Sequence, residues 1–170
     1  MTVTIQNTTI LQRSRLTNLA LNKPATASSF LGDAWRVAYG NNGTSDNFWA
    51  TTYRNRLTTP DEVSWWQVDL GVQLPRIIRI ELVGRQDDGA GNAWALTRYN
   101  FAILGSNDPE MNLSTVLGIE QNPLPFNGTY VLELQEEVSF RSIRATKLVR
   151  EAWNEVDFAI ADFRVRGYAL

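Results

Sequence analysis

Two pairs of neighbouring acids, Asp61–Glu62 and Asp87–Asp88, are the first residues that invite chemistry, because glycoside hydrolysis runs on two carboxyl groups. They have to be weighed against what the chain lacks. It contains no histidine and no cysteine. The first absence removes the usual general base near neutral pH and the commonest transition-metal ligand. The second removes a thiol nucleophile, a zinc–thiolate site and any disulfide frame. Catalysis would rest on carboxylates, lysine, tyrosine or serine, and acids in loops are usually just solvated. The residues point away from an enzyme.

Charge and length narrow the classes further. The chain has 170 residues, with 16 lysines and arginines against 18 acids, for a net charge of -2. Such a chain has no basic excess with which to displace counterions from phosphates, so nucleic acid is not an expected partner. Hydrophobic residues make up 44%, enough for one domain to bury a full core without metals or disulfides. No apolar run is long enough to span a bilayer. The opening MTVTIQNTTILQRSRLT lacks the apolar core of a signal peptide and reads as a leader or edge segment, residues 1–17, before a domain over 18–170. N-x-[ST] triplets at Asn7, Asn42, Asn112 and Asn127 are of a kind that arises often by chance.

The elements that must position any site read as strands. RIIRIELVG (76–84) places Ile78, Ile80 and Leu82 on one face, opposite Arg79 and Glu81. RYNFAILGS (98–106), TYVLELQ (129–135), SFRSIRATKL (139–148) and DFRVRGY (162–168) follow the same period, the last with Phe163 and Val165 inward. With 65–70 and an N-terminal strand, seven or eight strands are predicted, separated by Gly, Pro, Asn and Asp. This pattern predicts an all-β antiparallel jelly-roll sandwich. Trp65 and Trp66 in WWQVDLG then take opposite faces, one indole in the core and the other outside under a loop.

The order of NLALNKPATASS (18–29), NNGTSDNFWATT (41–52), WWQVDLG (65–71), IIRIELVGRQDDGAGN (77–92), YNFAILGSNDP (99–109), SFRSIRATK (139–147) and ADFRVRGY (161–168) resembles the discoidin domains, also called coagulation factor V/VIII C-type domains. The branches it is most similar to are the family 32 carbohydrate-binding modules and the fucose-binding F-type lectins. The resemblance implies an eight-stranded, galactose-binding-domain-like sandwich that binds ligands through loops at one end and carries no catalysis. Members bind galactosides, fucosides, hexosamines, uronates, phospholipid head groups or proteins, so the fold alone does not name the ligand.

The resemblance also implies a site. Arg85 matches the arginine that opens the loop after the IELVG-type strand, and a guanidinium is a fixed fork of donors suited to vicinal hydroxyls. Asn92 matches an asparagine further along that loop. Asp87 fits the R-x-D pattern of the fucose lectins and would orient Arg85, or would simply form a loop salt bridge. Many galactose-binding relatives carry a histidine after the tryptophan that Trp49 matches; here the residue is Ala50, and Tyr53, Arg54 or Arg56 could substitute. Aromatic rings for stacking on a sugar would come from Trp153, then Trp35 and Trp94, with Asn154 adding a hydrogen bond.

Many relatives also bind a structural calcium ion through an A-x-D-G-N loop and an acid near the C-terminus. In VAYGNNGTSDN the aspartate of that pattern is Tyr39. Asn41, Thr44, Asp46 and backbone carbonyls remain, and Asp162 matches the C-terminal acid. Calcium takes roughly six to eight oxygens with carboxylates among them, so losing one weakens the site. The alternative is a turn closed by its own Asx side chains. The expected function is a non-catalytic carbohydrate-binding module or lectin for a galactoside, fucoside or hexosamine-like glycan. It would be extracellular or at the cell surface by resemblance, and either homo-oligomeric or attached to an enzyme. The alternative is a protein- or membrane-docking discoidin domain, with Trp35–Arg36 and Trp153 near Arg150 as its exposed contacts.

Overall fold

Phe163 and Val165 point inward and are fully buried, as their alternation predicts, and the strand that carries them organises one of two sheets. The computed structural model describes residues 16–52, 63–87, 95–126, 128–148 and 157–169. Its strands are β1 (Thr17–Asn18), β2 (Ala25–Ala27), β3 (Trp49–Ala50), β4 (Trp65–Asp69), β5 (Arg76–Gly84), β6 (Phe101–Ser106), β7 (Thr115–Glu120), β8 (Thr129–Val138), β9 (Ser142–Lys147) and β10 (Ala159–Tyr168). One sheet has the order β1-β10-β5-β8, with β3 also on β10, and the other has β2-β4-β9-β6-β7. Their pairings are antiparallel. Eight of these strands exceed two residues, which matches the predicted sandwich.

The core is aromatic. Trp66 lies against Phe163 at 5.3 Å, and Phe158 lies between Phe101 at 5.7 Å and Trp49 at 5.9 Å. Both tryptophans bury their indole N–H without loss, Trp66 donating to the Val37 carbonyl at 2.9 Å and Trp49 to that of Ser29 at 2.9 Å. The 3₁₀ segment Val37–Asn41 crosses directly over Trp66. A Cβ on Gly40 would come within 2.7 Å of the indole, so only glycine allows this approach.

Several boundaries differ from the sequence reading, each for a local reason. A bulge between Ile77 and Arg79 turns Ile77, not Ile78, inward beside Ile80 and Leu82. The strand expected over 98–106 begins only at Phe101. Ala95–Arg98 is a 3₁₀ turn, and Asn100 (φ 51°) takes a left-handed conformation that asparagine tolerates. The strand expected over 139–148 starts at Ser142, and β7 was not anticipated; as an edge strand it leaves Val116 and Ile119 exposed and shows no clean alternation. Trp65 does face outward, but its cover is the Arg144 guanidinium at 4.1 Å instead of a loop. Gln67 accepts from Arg144 at 2.9 and 2.7 Å and donates to the Pro109 carbonyl.

Candidate functional site

The strand registers gather one set of chain ends on one side of the molecule. Trp65 pairs with Thr146, Phe101 with Lys147 and with Glu120, Gly84 with Ile160, and Thr129 with Val83. The starts of β4, β6, β8 and β10 therefore lie beside the ends of β3, β5, β7 and β9. The flanks of three loops meet here: Thr52 and Val63, Asp87 and Ala95, Leu148 and Asp157. Residues 53–62, 88–94 and 149–156 lie outside the described residues, and with them the expected site residues Tyr53, Arg54, Asn92, Trp94, Trp153 and Asn154.

Arg85 stands at this end, one residue beyond β5. Its Nε donates to Asp87 Oδ1 and its Nη2 to Oδ2 at 2.9 Å, a two-bond pairing of fork to carboxylate. The Phe48 ring lies against the guanidinium, 4.6 Å from its centroid to Cζ. The Asp87 carboxyl is held below its usual range first by the hydrogen bond from Arg85, against the opposing effect of burial. The two flanking groups fix both the plane and the tilt of the guanidinium, and only a tenth of its side chain is exposed.

A second arginine builds this site from beneath. Arg98 is fully buried and donates from Nη1 to the Arg85 carbonyl at 2.8 Å. Its own carbonyl accepts from Leu124 N at 3.2 Å. Gly84 makes room for it: a Cβ there would sit 2.3 Å from Arg98 Cδ. Nothing in the sequence marks Arg98 as buried, since arginine at a strand start normally reads as solvated. Phe48, beside the more prominent Trp49, carries no such signal either.

A buried lysine ends β9. Lys147 is 2% exposed, donates to the Tyr99 carbonyl at 2.6 Å, and lies 4.5 Å from the Tyr99 ring centroid. Burial pushes the nearby Asp157 carboxyl up to about 6, partly opposed by attraction to Lys147. Trp35 is half-buried in the 3₁₀ turn Asp33–Trp35.

Two of the residues matched to a calcium site, Asn41 and Asp162, are held in contacts within the fold. Asn41 is buried and its amide nitrogen donates to the Ala20 and Lys23 carbonyls at 2.7 and 3.0 Å, while its own carbonyl accepts from Asn22 N. The Thr44 hydroxyl donates to Asn42 Oδ1 at 3.3 Å in an Asx-type turn. Thr44 and Asp46 are exposed, whereas Asp162 is fully buried with Oδ2 bound to Arg164 Nε at 2.5 Å. Asp162 Oδ1 has no hydrogen-bond partner. No group of three acidic, histidine or cysteine residues among those described could hold a metal.

No protein-family model and no curated protein sequence matches the chain. Solved structures do. The chain has the discoidin-like, galactose-binding-domain-like fold. A chitosan-binding module of a Paenibacillus sp. IK-5 chitosanase/glucanase superposes with a TM-score of 0.65 at 23% identity, over 89% of this chain and 99% of that one. A fucolectin from striped bass (Morone saxatilis) serum gives 0.70 at 17%, over 91% of this chain and 48% of that one. A family 32 carbohydrate-binding module from C. perfringens, solved with galactose, gives 0.59 at 14%, over 84% and 92%.

Proposed function

We propose that the chain is a non-catalytic glycan-binding module, with the ligand seated at the loop end of the sandwich on Arg85. The observation that carries this reading is the arginine fork held in one plane by the Asp87 carboxylate and the Phe48 ring. A fork held in advance can bond two neighbouring sugar hydroxyls with little further loss of side-chain freedom. Three structures sharing this fold hold chitotriose, Lewis b and galactose, all sugars, which supports the same class here. Such a module works where glycans are displayed, outside the cell. Its affinity per site is modest because a shallow end buries little area, so useful retention comes from several copies or from attachment to an enzyme.

The reading includes no calcium, because the Asn41 amide and the Arg164 guanidinium already hold the groups that would serve it. It includes no membrane-spanning helix, since no helix among the described residues is long and apolar enough to cross a bilayer. A glycan array probed with wild type and Arg85→Ala, in calcium and in chelator, tests the proposal. Selective binding that the variant loses and the chelator leaves intact is the expected result. A folded wild-type protein that binds no glycan would overturn it and favour the protein-docking alternative.

A further inference from the structure

The outer face of the β2-β4-β9-β6-β7 sheet carries one cation and one acid that the fold leaves apart. Strand register sets out that face in two rows. Gln67, Arg144, Leu104 and Val116 stand side by side, and Trp65, Thr146, Ala102 and Ile119 form the neighbouring row. The Arg144 guanidinium lies 4.1 Å from the Trp65 ring centroid, and its Nε and Nη2 both donate to Gln67 Oε1, at 2.9 and 2.7 Å. It is held against a ring and a neutral amide, and among the described residues no acid forms an ion pair with it. Arg36, Arg76, Arg79, Arg141, Arg164 and Arg166 each hold an acid, as Arg85 does. Burial pushes the Arg144 guanidinium down, with the Glu110 charge acting the other way. Gln67 Nε2 donates to the Pro109 carbonyl at 2.8 Å, which brings the next residue, Glu110, to the same face. Glu110 is exposed, and among the described residues no cation forms an ion pair with it.

The apolar part of the face is equally open. β7 is the outermost strand of its sheet, and its bulge turns Val116 and Ile119 both outward, 58% and 52% exposed. Tryptophan and arginine beside exposed aliphatic side chains are what the centres of protein interfaces concentrate. The charges say which partner fits. A face holding one such cation and one such acid is its own complement under a two-fold axis, because each arginine then meets the other copy's acid. We infer that this outer face is the contact between two copies of the chain, Arg144 of each meeting Glu110 of the partner subunit while Val116 and Ile119 are covered. The aliphatic side chains supply most of the stabilisation, since exposed ion pairs are weak, and the charges fix the register. The pairing does not depend on the glycan reading. Where that reading holds, each pair offers two Arg85 sites and is retained better on a surface dense in ligand.

Sedimentation equilibrium of the full chain from about 1 μM to about 1 mM tests this. The wild type is expected to dimerise within that range. Arg144→Glu and Glu110→Arg should each weaken the dimer at least about tenfold, because each puts like charges at both contacts. Mixing these two variants should restore association. The acid introduced in one then faces the arginine introduced in the other, and the native Arg144 faces the native Glu110. A charge pair that acted only within one chain would not be restored by mixing. Val116→Lys should also weaken the dimer, and melting temperatures near wild type would show the variants to be folded. If Arg144→Glu does not fold, Glu110→Arg and Val116→Lys, both at exposed positions, still decide. The inference fails if the wild type stays monomeric at the highest concentration, if Glu110→Arg and Val116→Lys leave the dimer unchanged, or if the folded charge variants do not associate when mixed.

Discussion

Replacing Asp157 with asparagine should stabilise the protein at neutral pH and lose most of that benefit in acid. Asp157 is half-buried, and its carboxyl is pushed from 3.8 up to about 6 by burial, with Lys147 only partly offsetting this. A folded-state pKa above the unfolded one means that the native protein holds the proton more tightly. The stabilising contribution is therefore complete below about pH 4 and is lost as pH rises through about 6. At pH 7.5 the ionised Asp157 costs at most about 3 kcal/mol, from a shift of about two units at roughly 1.4 kcal/mol each. Asparagine resembles the protonated acid in shape and charge, so Asp157→Asn recovers up to that amount. At pH 4.5 about two thirds of the difference has gone, because the wild-type acid is then protonated in the fold. Urea denaturation of both proteins at pH 7.5 and 4.5 isolates the effect, since titration of other acids cancels in the difference. A variant that is less stable at pH 7.5, or a difference that does not shrink in acid, would refute the argument. It would mean that Lys147 needs the Asp157 charge more than burial penalises it.

Three other expectations concern the site and its supports. Asp87→Asn should weaken glycan binding about tenfold by freeing the Arg85 fork, while shifting stability by less than about 1 kcal/mol because the carboxylate is half exposed; calorimetry with paired melts would check both, and unchanged affinity would remove Asp87 from the site. Gly84→Ala should cost about 1–3 kcal/mol through the clash with Arg98, and a denaturation midpoint equal to wild type would contradict the packing. Calcium and chelator should leave the melting temperature within about 1 °C of each other, and a clear rise with calcium would show that the ion binds the native state.

The sandwich was legible because strand alternation survives in single sequences: Phe163, Val165, Ile80 and Leu82 all bury as their period demands. Trp65 and Trp66 were legible for the same reason, since neighbours on a strand cannot share a face. What sequence could not show was anything that depends on a break in the period. The bulge at Ile77–Arg79 moved an inward position by one residue, and the 3₁₀ turn at Ala95–Arg98 replaced the start of an expected strand. The pairing of Arg85 with Asp87 was readable from two residues of spacing. The burial of Arg98 beneath it was not, because only the tertiary position of Gly84 makes room for a guanidinium there.

That arrangement also bears on how specificity could vary on this scaffold. Arg85 is set by the end of β5, by a buried Arg98 that bonds its carbonyl, and by Phe48 immediately before β3. Its immediate partner, Asp87, lies only two residues further on. In the proposed site the arginine is thus positioned by strand ends and a buried side chain, and replacement of residues 53–62 or 149–156 should leave its geometry in place. Changing Gly84 or Arg98 should do the opposite, disturbing the anchor while every loop residue is unchanged. A loop exchange that preserved Arg85-dependent binding but altered which glycan binds would show anchor and selectivity to be separable; loss of all binding with the fold intact would show that the loops hold the arginine as well.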